Sequence, residues 1–271
     1  MAFEYFSQNG VIKPLKEAQI ALSHIEYQYG FGVYETIRVA NGVVYFLADH
    51  LERLIESARL IGLAHVFDTA SIEKSIAELL GQNRAQTCNI KILLIGAERA
   101  EDASLNILCL NPLFPDKKMY RDGVSTITYE YERAFPRAKT LNMLQSYLAY
   151  REAKASDCYD ALLLDREGCI TEGTRTNFFC MRGMTLYSPP EEKILLGVTR
   201  KYVLDGAQKS GFMVEEKEIP LEDVKEYEAA FLTATSIGIM PIRLIGEYAF
   251  PAQPEVLKKL MAAFDTYLGA R

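Results

Sequence analysis

Apolar and polar positions recur along the chain with distinct periods, and each period predicts an element. From Val33 to Val39 (Val-Tyr-Glu-Thr-Ile-Arg-Val) and from Val43 to Phe46 the residues are strand-like, and Asn41-Gly42 between them is a two-residue turn signal. Asn9-Gly10 repeats that signal upstream, so the N-terminal part is predicted to open with hairpins. At Asp49 the period changes. Leu51, Leu54, Ile55, Ala58 and Ile61 recur at three and four, which predicts an amphipathic helix ending near Gly62. Ser71 to Leu80 reads as a second helix. Asn89 to Gly96 (NIKILLIG) and Leu105 to Leu110 are apolar enough for central strands, which would close a small α/β unit.

The stretch Asn111 to Lys118 places two prolines and three charges between apolar runs and is the best linker candidate. The expected organisation is a small N-terminal α/β domain over 1–112, a linker over 113–121 and a larger C-terminal domain over 122–271. In that second part strands are predicted at Val124 to Tyr131, Ala161 to Leu164, Asn177 to Met181, Val214 to Ile219 and Ala229 to Ala234. Helices are predicted at Met143 to Ala155 and Val198 to Ser210, with a terminal helix entered at Pro254 and capped by Gly269.

Composition narrows the function classes. With 49% hydrophobic and 24% charged residues over 271 positions, disorder and coiled-coil rods are excluded and a sizeable core is available. The net charge of -6 without a dense basic block argues against nucleic acid as a partner. Three histidines, and five cysteines with no C-x-x-C pair, leave little for a metal site or a disulfide framework, so no metal is expected and the thiols are read as reduced. Met1 to Val11 lacks a basic and then apolar leader pattern, and no stretch of about 18 apolar residues occurs. A cytoplasmic protein with no membrane partner is expected.

Taken singly, the chemistry-bearing motifs are weak. Gly30-Phe31-Gly32 lacks the third glycine and the following helix of a dinucleotide site, and reads as a turn with close backbone packing. Gly197 leading straight into a helix would leave the Val198 and Thr199 amides available to a phosphate, although an ordinary loop-to-helix junction looks the same. Thr235 and Ser236 follow an apolar strand. Arg53 lies on a helix, Lys139 follows Arg137 at the mouth of another, and Glu172 sits between strands, where turn acids are common.

In this order, however, the set resembles the class IV (fold type IV) pyridoxal-phosphate aminotransferases, the family of branched-chain and D-amino acid aminotransferases and aminodeoxychorismate lyase. The shared residues are Tyr29-Gly30-x-Gly32-Val33-Tyr34-Glu35-Thr36-Ile37-Arg38, His50-Leu51-x-Arg53-Leu54, Lys139 with Asn142, Glu172-Gly173-x-x-x-Asn177-x-Phe179, Gly197-Val198-Thr199-Arg200 and Thr235 to Pro241, spanning about residues 27 to 245. The resemblance implies an α+β, two-domain fold type IV enzyme whose C-terminal domain is α/β-barrel-like, with pyridoxal 5'-phosphate in the cleft between the domains. It implies that Lys139 forms the Schiff base and moves the proton, and that Glu172 bonds the pyridine nitrogen. Arg53, Val198, Thr199, Thr235 and Ser236 would hold the cofactor, and Tyr34 would line the substrate pocket. A homodimer is implied as well, because the family completes its pocket with a loop from the partner.

Departures from the family pattern bear on the substrate. Leu144 stands five positions after Lys139, where the branched-chain enzymes have tyrosine, and the strand ending Ile95-Gly96-Ala97-Glu98 lacks the Arg and His pair of the D-amino acid branch. Arg175, with Arg38 or Lys91, is the expected partner of a substrate carboxylate; a surface salt bridge is the competing reading of Arg175. The expected reaction is a ping-pong transamination between an α-amino acid, D or branched-chain L, and an α-keto acid. The alternatives are aminodeoxychorismate lyase chemistry on the same scaffold, and a non-catalytic pyridoxal-phosphate-binding protein.

Overall fold

The computed structural model describes residues 3–112, 115–251 and 253–269, which fall into two compact units. The first comprises Met1–Leu113 with Ala138–Met143, and the second Phe114–Arg137 with Leu144–Arg271.

In the first unit the elements are β1 (Tyr5–Gln8), β2 (Val11–Pro14), α1 (Ile25–Gln28), β3 (Gly32–Ala40), β4 (Val43–Val44), α2 (Leu47–Leu60), α3 (Thr69–Gln82), β5 (Cys88–Ile95) and β6 (Ser104–Leu110). The strands form one antiparallel sheet in the order β2-β1-β6-β5-β3-β4. Both hairpin turns have positive φ at each central residue, 51° and 82° at Asn9-Gly10 and 53° and 78° at Asn41-Gly42, which suits the twist of flanking strands. The strand expected to reach Phe46 stops at Val44. Phe46 adopts a left-handed φ of 56° and turns the chain into α2 at Leu47, ahead of the expected start at Asp49.

Alternation along β3 and β5 divides the sheet into two faces. Val33, Ile37, Val39, Ile90, Ile92 and Leu94 pack beneath the apolar stripes of α2 (Leu51, Leu54, Ala58) and α3 (Ile72, Ile76, Leu79). Tyr34, Thr36 and Arg38 lie on the other face with Lys91, which stands opposite Thr36 in the register.

The segment Ala138–Met143, expected in the C-terminal part, is hydrogen-bonded into this first unit. The Tyr34 N–H donates to the Lys139 carbonyl (2.9 Å), the Leu141 N–H to the Gly32 carbonyl (2.8 Å), and the Lys139 N–H to Ser57 Oγ (3.0 Å). Gly32 permits that approach, since a Cβ there would meet the Leu94 carbonyl oxygen at 2.8 Å. The Gly-x-Gly run is thus a turn and a close backbone contact.

The second unit holds α4 (Lys117–Asp122), β7 (Val124–Glu130), α5 (Leu144–Ala155), β8 (Asp160–Leu164), β9 (Ile170–Gly173), β10 (Asn177–Arg182), β11 (Thr185–Ser188), α6 (Val198–Lys209), β12 (Met213–Glu216), β13 (Ala229–Ala234), β14 (Gly238–Ile245), β15 (Tyr248–Ala249) and α7 (Glu255–Gly269). Two expectations change here. Part of the expected linker is helical, because the Asp116 carboxylate accepts the Lys118 N–H (2.9 Å) and caps α4; Leu113 and Phe114 lie outside the described residues. The strand expected over Val214 to Ile219 is only β12, which ends at Glu216, where its pairing with β11 ends.

Strand β9 pairs with both β8 and β10, so β10-β13-β14-β7-β8-β9 closes into a barrel-like ring. Leu162, Ile170, Phe178, Leu232 and Met240 form the apolar core on one face of the ring. On the opposite face Phe179 and Phe231 stack at 5.0 Å, and α6 packs against β13.

Candidate active site

A bulge decides where Glu172 points. Between the pairs Leu162↔Gly173 and Leu164↔Ile170, β9 has one residue more than β8. Strict alternation would put Glu172 on the same face as Ile170, in the apolar core; the extra residue moves it to the face of Asn177, its direct partner across β10. Glu172 is therefore a buried strand residue, 2% exposed, rather than a turn acid. Its Oε2 accepts the Leu195 N–H (3.2 Å), and Oε1 is ion-paired with Arg133 Nε (3.0 Å). Arg133 also donates to the Thr174 carbonyl (3.3 Å), so its guanidinium is tied to the same hairpin.

Asn177 clamps the entry to α6. Its Nδ2 donates to the Leu195 carbonyl (2.7 Å), and its Oδ1 occupies the space that a Cβ on Gly197 would need. The turn reaches the helix with glycine at its N-cap and no side-chain cap, while Arg200 anchors the first turn outward through Glu191 (2.9 Å) and Ser188 (3.2 Å). Val198 and Thr199 thus stand at a helix N-terminus whose amide dipoles favour an anion. Thr235 and Ser236 form the tight turn between β13 and β14, closed by the Ile237 N–H to the Ala234 carbonyl (3.1 Å).

The hairpin tip beside Glu172 is braced by Asp160, which is fully buried. Asp160 accepts from Thr174 Oγ1 (2.5 Å) and Thr176 Oγ1 (3.0 Å), and Gly173 leaves them room. Burial raises the Asp160 carboxyl above its ordinary range against the lowering effect of those bonds and of Arg175. Arg175 itself is exposed and stacks on Tyr150 of α5, with its guanidinium carbon 3.9 Å from the ring centroid.

In the first unit, Arg53 reaches from α2 to β3. Its Nε and one Nη donate to the two oxygens of Glu35 (2.7 and 2.8 Å), and His50 Nδ1 lies 2.8 Å from the same carboxylate. Burial alone would raise the fully buried Glu35 carboxyl, but the charge of Arg53 and the bonds from His50 and Arg53 overcome it and hold it well below the usual carboxylate range. On the sheet's other face, Lys91 Nζ and Lys139 Nζ lie 3.5 and 4.5 Å from the centroid of the Tyr34 ring. The Tyr34 hydroxyl contacts Met143 Sδ at 3.8 Å, and Arg38 lies 5.6 Å from the Tyr45 ring.

The sequence motifs thus separate into a lysine and arginine group in the first unit and a Glu172, helix and turn group in the second. Glu35, His50, Arg133, Asn177 and Asp160 acquire supporting roles that local pattern does not assign. The signal for Glu35 is an acid in a strand whose neighbours are apolar; Arg133 carries none, because its partner is about forty residues away in sequence. Among the described residues Asp165, Cys169 and Glu218 also cluster, but Lys193 Nζ sits on Asp165 (2.8 Å) and Glu218 (2.6 Å), so an ammonium fills the place of a cation.

Residues 32–245 match the family described as amino-transferase class IV. The chain belongs to the class IV aminotransferases. Relatives of this class IV aminotransferase include the D-alanine aminotransferase of Bacillus licheniformis, 29% identical over 246 residues that cover 88% of this chain and 87% of that protein. A probable branched-chain-amino-acid aminotransferase of Rickettsia felis is 31% identical over 248 residues, covering 86% and 84%. Among solved structures, a branched-chain amino acid aminotransferase complexed with N-(5'-phosphopyridoxyl)-L-glutamate, from the source abbreviated T.th., aligns with a TM-score of 0.90 at 25% identity, covering 100% of this chain and 96% of that one.

Proposed function

We propose that this class IV aminotransferase exchanges an amino group between an α-amino acid and an α-keto acid by a ping-pong mechanism, using pyridoxal 5'-phosphate. The observation that carries the reading is the match across residues 32–245 together with Lys139, which is half-buried and has no ion pair or hydrogen bond from its ammonium among the described residues.

The residues fit the cofactor's three chemical demands. Its aldehyde needs an amine, and Lys139 supplies one that no carboxylate of the described residues holds. Its phosphate needs donors and positive potential, and the glycine-capped start of α6 at Val198 and Thr199 provides them, with Thr235, Ser236 and Arg53 assigned to the same group. Its pyridine nitrogen needs a buried anion, and Glu172 is the candidate, paired with Arg133 and oriented by the Leu195 amide. When bound, the cofactor supplies an electron sink for the carbanion left when the substrate α-proton is removed.

The chain's own residues do the rest. Lys139 accepts the proton from the substrate α-carbon at Nζ and returns it on the opposite side of the exchange. Its backbone, locked to Tyr34, Gly32 and Ser57, holds that nitrogen in place. Glu35 and His50 fix the Arg53 guanidinium on its helix, which spares the phosphate the entropy of ordering it. Tyr34 and Lys91 are the substrate contacts proposed on the first unit; Arg38, on the same face of β3, and Arg175 are further candidates for a carboxylate.

A spectroscopic screen of the holoenzyme with L- and D-amino acids tests the function. Loss of the cofactor's aldehyde-derived absorbance with some of them, and its recovery on adding a keto acid, is expected. Silence with every amino acid, or pyruvate release without amino transfer, overturns the reading.

A homodimer is part of the proposal. Leu22 (92% exposed), Ile25, Tyr27 and Tyr29 (78% exposed) lie apolar and uncovered along one segment, a surface that a second copy would bury. Sedimentation at the mass of one chain overturns it. A cytoplasmic location is proposed from the five free cysteines. Among the described residues no helix is long and apolar enough to cross a membrane.

A further inference from the structure

Lys91 and Lys139 crowd one aromatic ring. Lys91 Nζ is 3.5 Å and Lys139 Nζ 4.5 Å from the Tyr34 centroid, and among the described residues neither ammonium forms an ion pair or hydrogen bond. Lys91 projects from β5, opposite Thr36 of β3 and Leu108 of β6, so its cross-strand neighbours carry no charge. The carboxylate acting on it is Glu35, which belongs to the opposite face of the sheet and is committed to Arg53 and His50. A cation–π contact offsets only part of what a desolvated ammonium loses, and the neighbouring like charge adds to the cost. Half-buried cations of this kind are ordinarily paired. The missing anion therefore comes from outside the chain.

We propose that Lys91 binds the α-carboxylate of the amino acid and keto acid substrates, and so selects carboxylate-bearing substrates over plain amines. The inference rests on the aminotransferase reading above. Lys139 is committed to the cofactor and to the reacting α-carbon. The α-carboxylate is bonded directly to that carbon, and Lys91 approaches the same ring as Lys139, so it is the cation placed for this group. A distal carboxylate would stand two or three bonds further away. Tyr34 supplies the flat wall that keeps the two ammoniums apart and orients the substrate between them.

Burial pulls the Lys91 ammonium down to about 8; Tyr34 opposes this, the charge of Lys139 adds to it and Glu35 opposes it. Carboxylate affinity should accordingly fall as pH rises through that value, as the cation is lost.

The test uses the holoenzyme and its Lys91→Met and Lys91→Arg variants. Half-reactions are followed with an amino acid, alanine or leucine, and with the amine that lacks its carboxylate, ethylamine or isopentylamine. In Lys91→Met the dissociation constant for the amino acid should rise about 30-fold, as expected for loss of a charge-assisted hydrogen bond, with the amine unchanged or improved. Lys91→Arg should recover most of the loss. Binding of propionate, read as a shift in cofactor absorbance, should weaken in parallel and lose its pH dependence near 8. Equal losses for amino acid and amine would show a structural role and overturn the proposal. So would a defect confined to glutamate and 2-oxoglutarate, which would put the distal carboxylate at Lys91. A wild-type enzyme that converts no amino acid overturns the aminotransferase reading instead.

Discussion

Replacing Lys139 with alanine should abolish amino transfer while leaving the chain folded. The expected loss in kcat is at least about 10⁴-fold, since the variant lacks both the attachment amine and the group that moves the proton. Folding should survive because the segment is held by its backbone, through the Tyr34, Leu141 and Lys139 amides, and those bonds need no side chain at 139. The ammonium makes no ion pair among the described residues, so its removal leaves no buried partner charge exposed. Two measurements check this: turnover with an amino acid and keto acid pair, and covalent attachment of the cofactor after borohydride reduction, read by mass spectrometry. A variant that keeps turnover within tenfold of the parent would remove Lys139 from the chemistry. A variant that fails to fold would instead show that the lysine stem is needed for packing against Tyr34.

Glu35→Gln is expected to have the largest effect on stability. The Glu35 side chain is fully buried and that of Arg53 only 12% exposed, so a neutral amide leaves a largely desolvated guanidinium without its counter-charge. Breaking a buried pair from one side costs roughly 3 to 5 kcal/mol, and the exposed edge of Arg53 favours the lower figure. The pH dependence follows from the depressed Glu35 carboxyl. Because its folded value lies below the unfolded one, its contribution is fully present above the ordinary carboxylate range and is lost as pH falls through that range towards the folded value. Urea midpoints between pH 7 and pH 3 should therefore show a shallower acid decline in Glu35→Gln than in the parent. Parallel declines would assign acid lability to other carboxylates. Affinity for the cofactor should weaken in the same variant, since nothing then holds Arg53 against β3.

Much of the fold is legible along the chain wherever local period and burial agree. The alternation of β3, the three-and-four stripe of α2 and the apolar runs of β5 and β6 are read correctly because each element buries one continuous face against a single core. The failures share a different cause. The helix α4 inside the expected linker depends on one capping carboxylate in a proline-containing stretch, and Phe46 starts α2 early through a backbone conformation that a bulky residue rarely takes.

The chemical identity of the site was determined by the sequence alone, because a lysine, a buried acid, a glycine-led helix and a hydroxyl turn in fixed order specify a cofactor's needs by residue type. What only the tertiary structure decided is how those residues are held. The bulge in β9 turns Glu172 out of the core, Asn177 clamps the entry to α6, Arg133 and Glu35 supply counter-charges, and Ala138–Met143 pairs with β3 and not with the strands that follow it. Each of these rests on hydrogen bonds or charges between positions far apart in sequence. A local pattern records what a residue can do, whereas burial and long-range pairing settle which partner it meets.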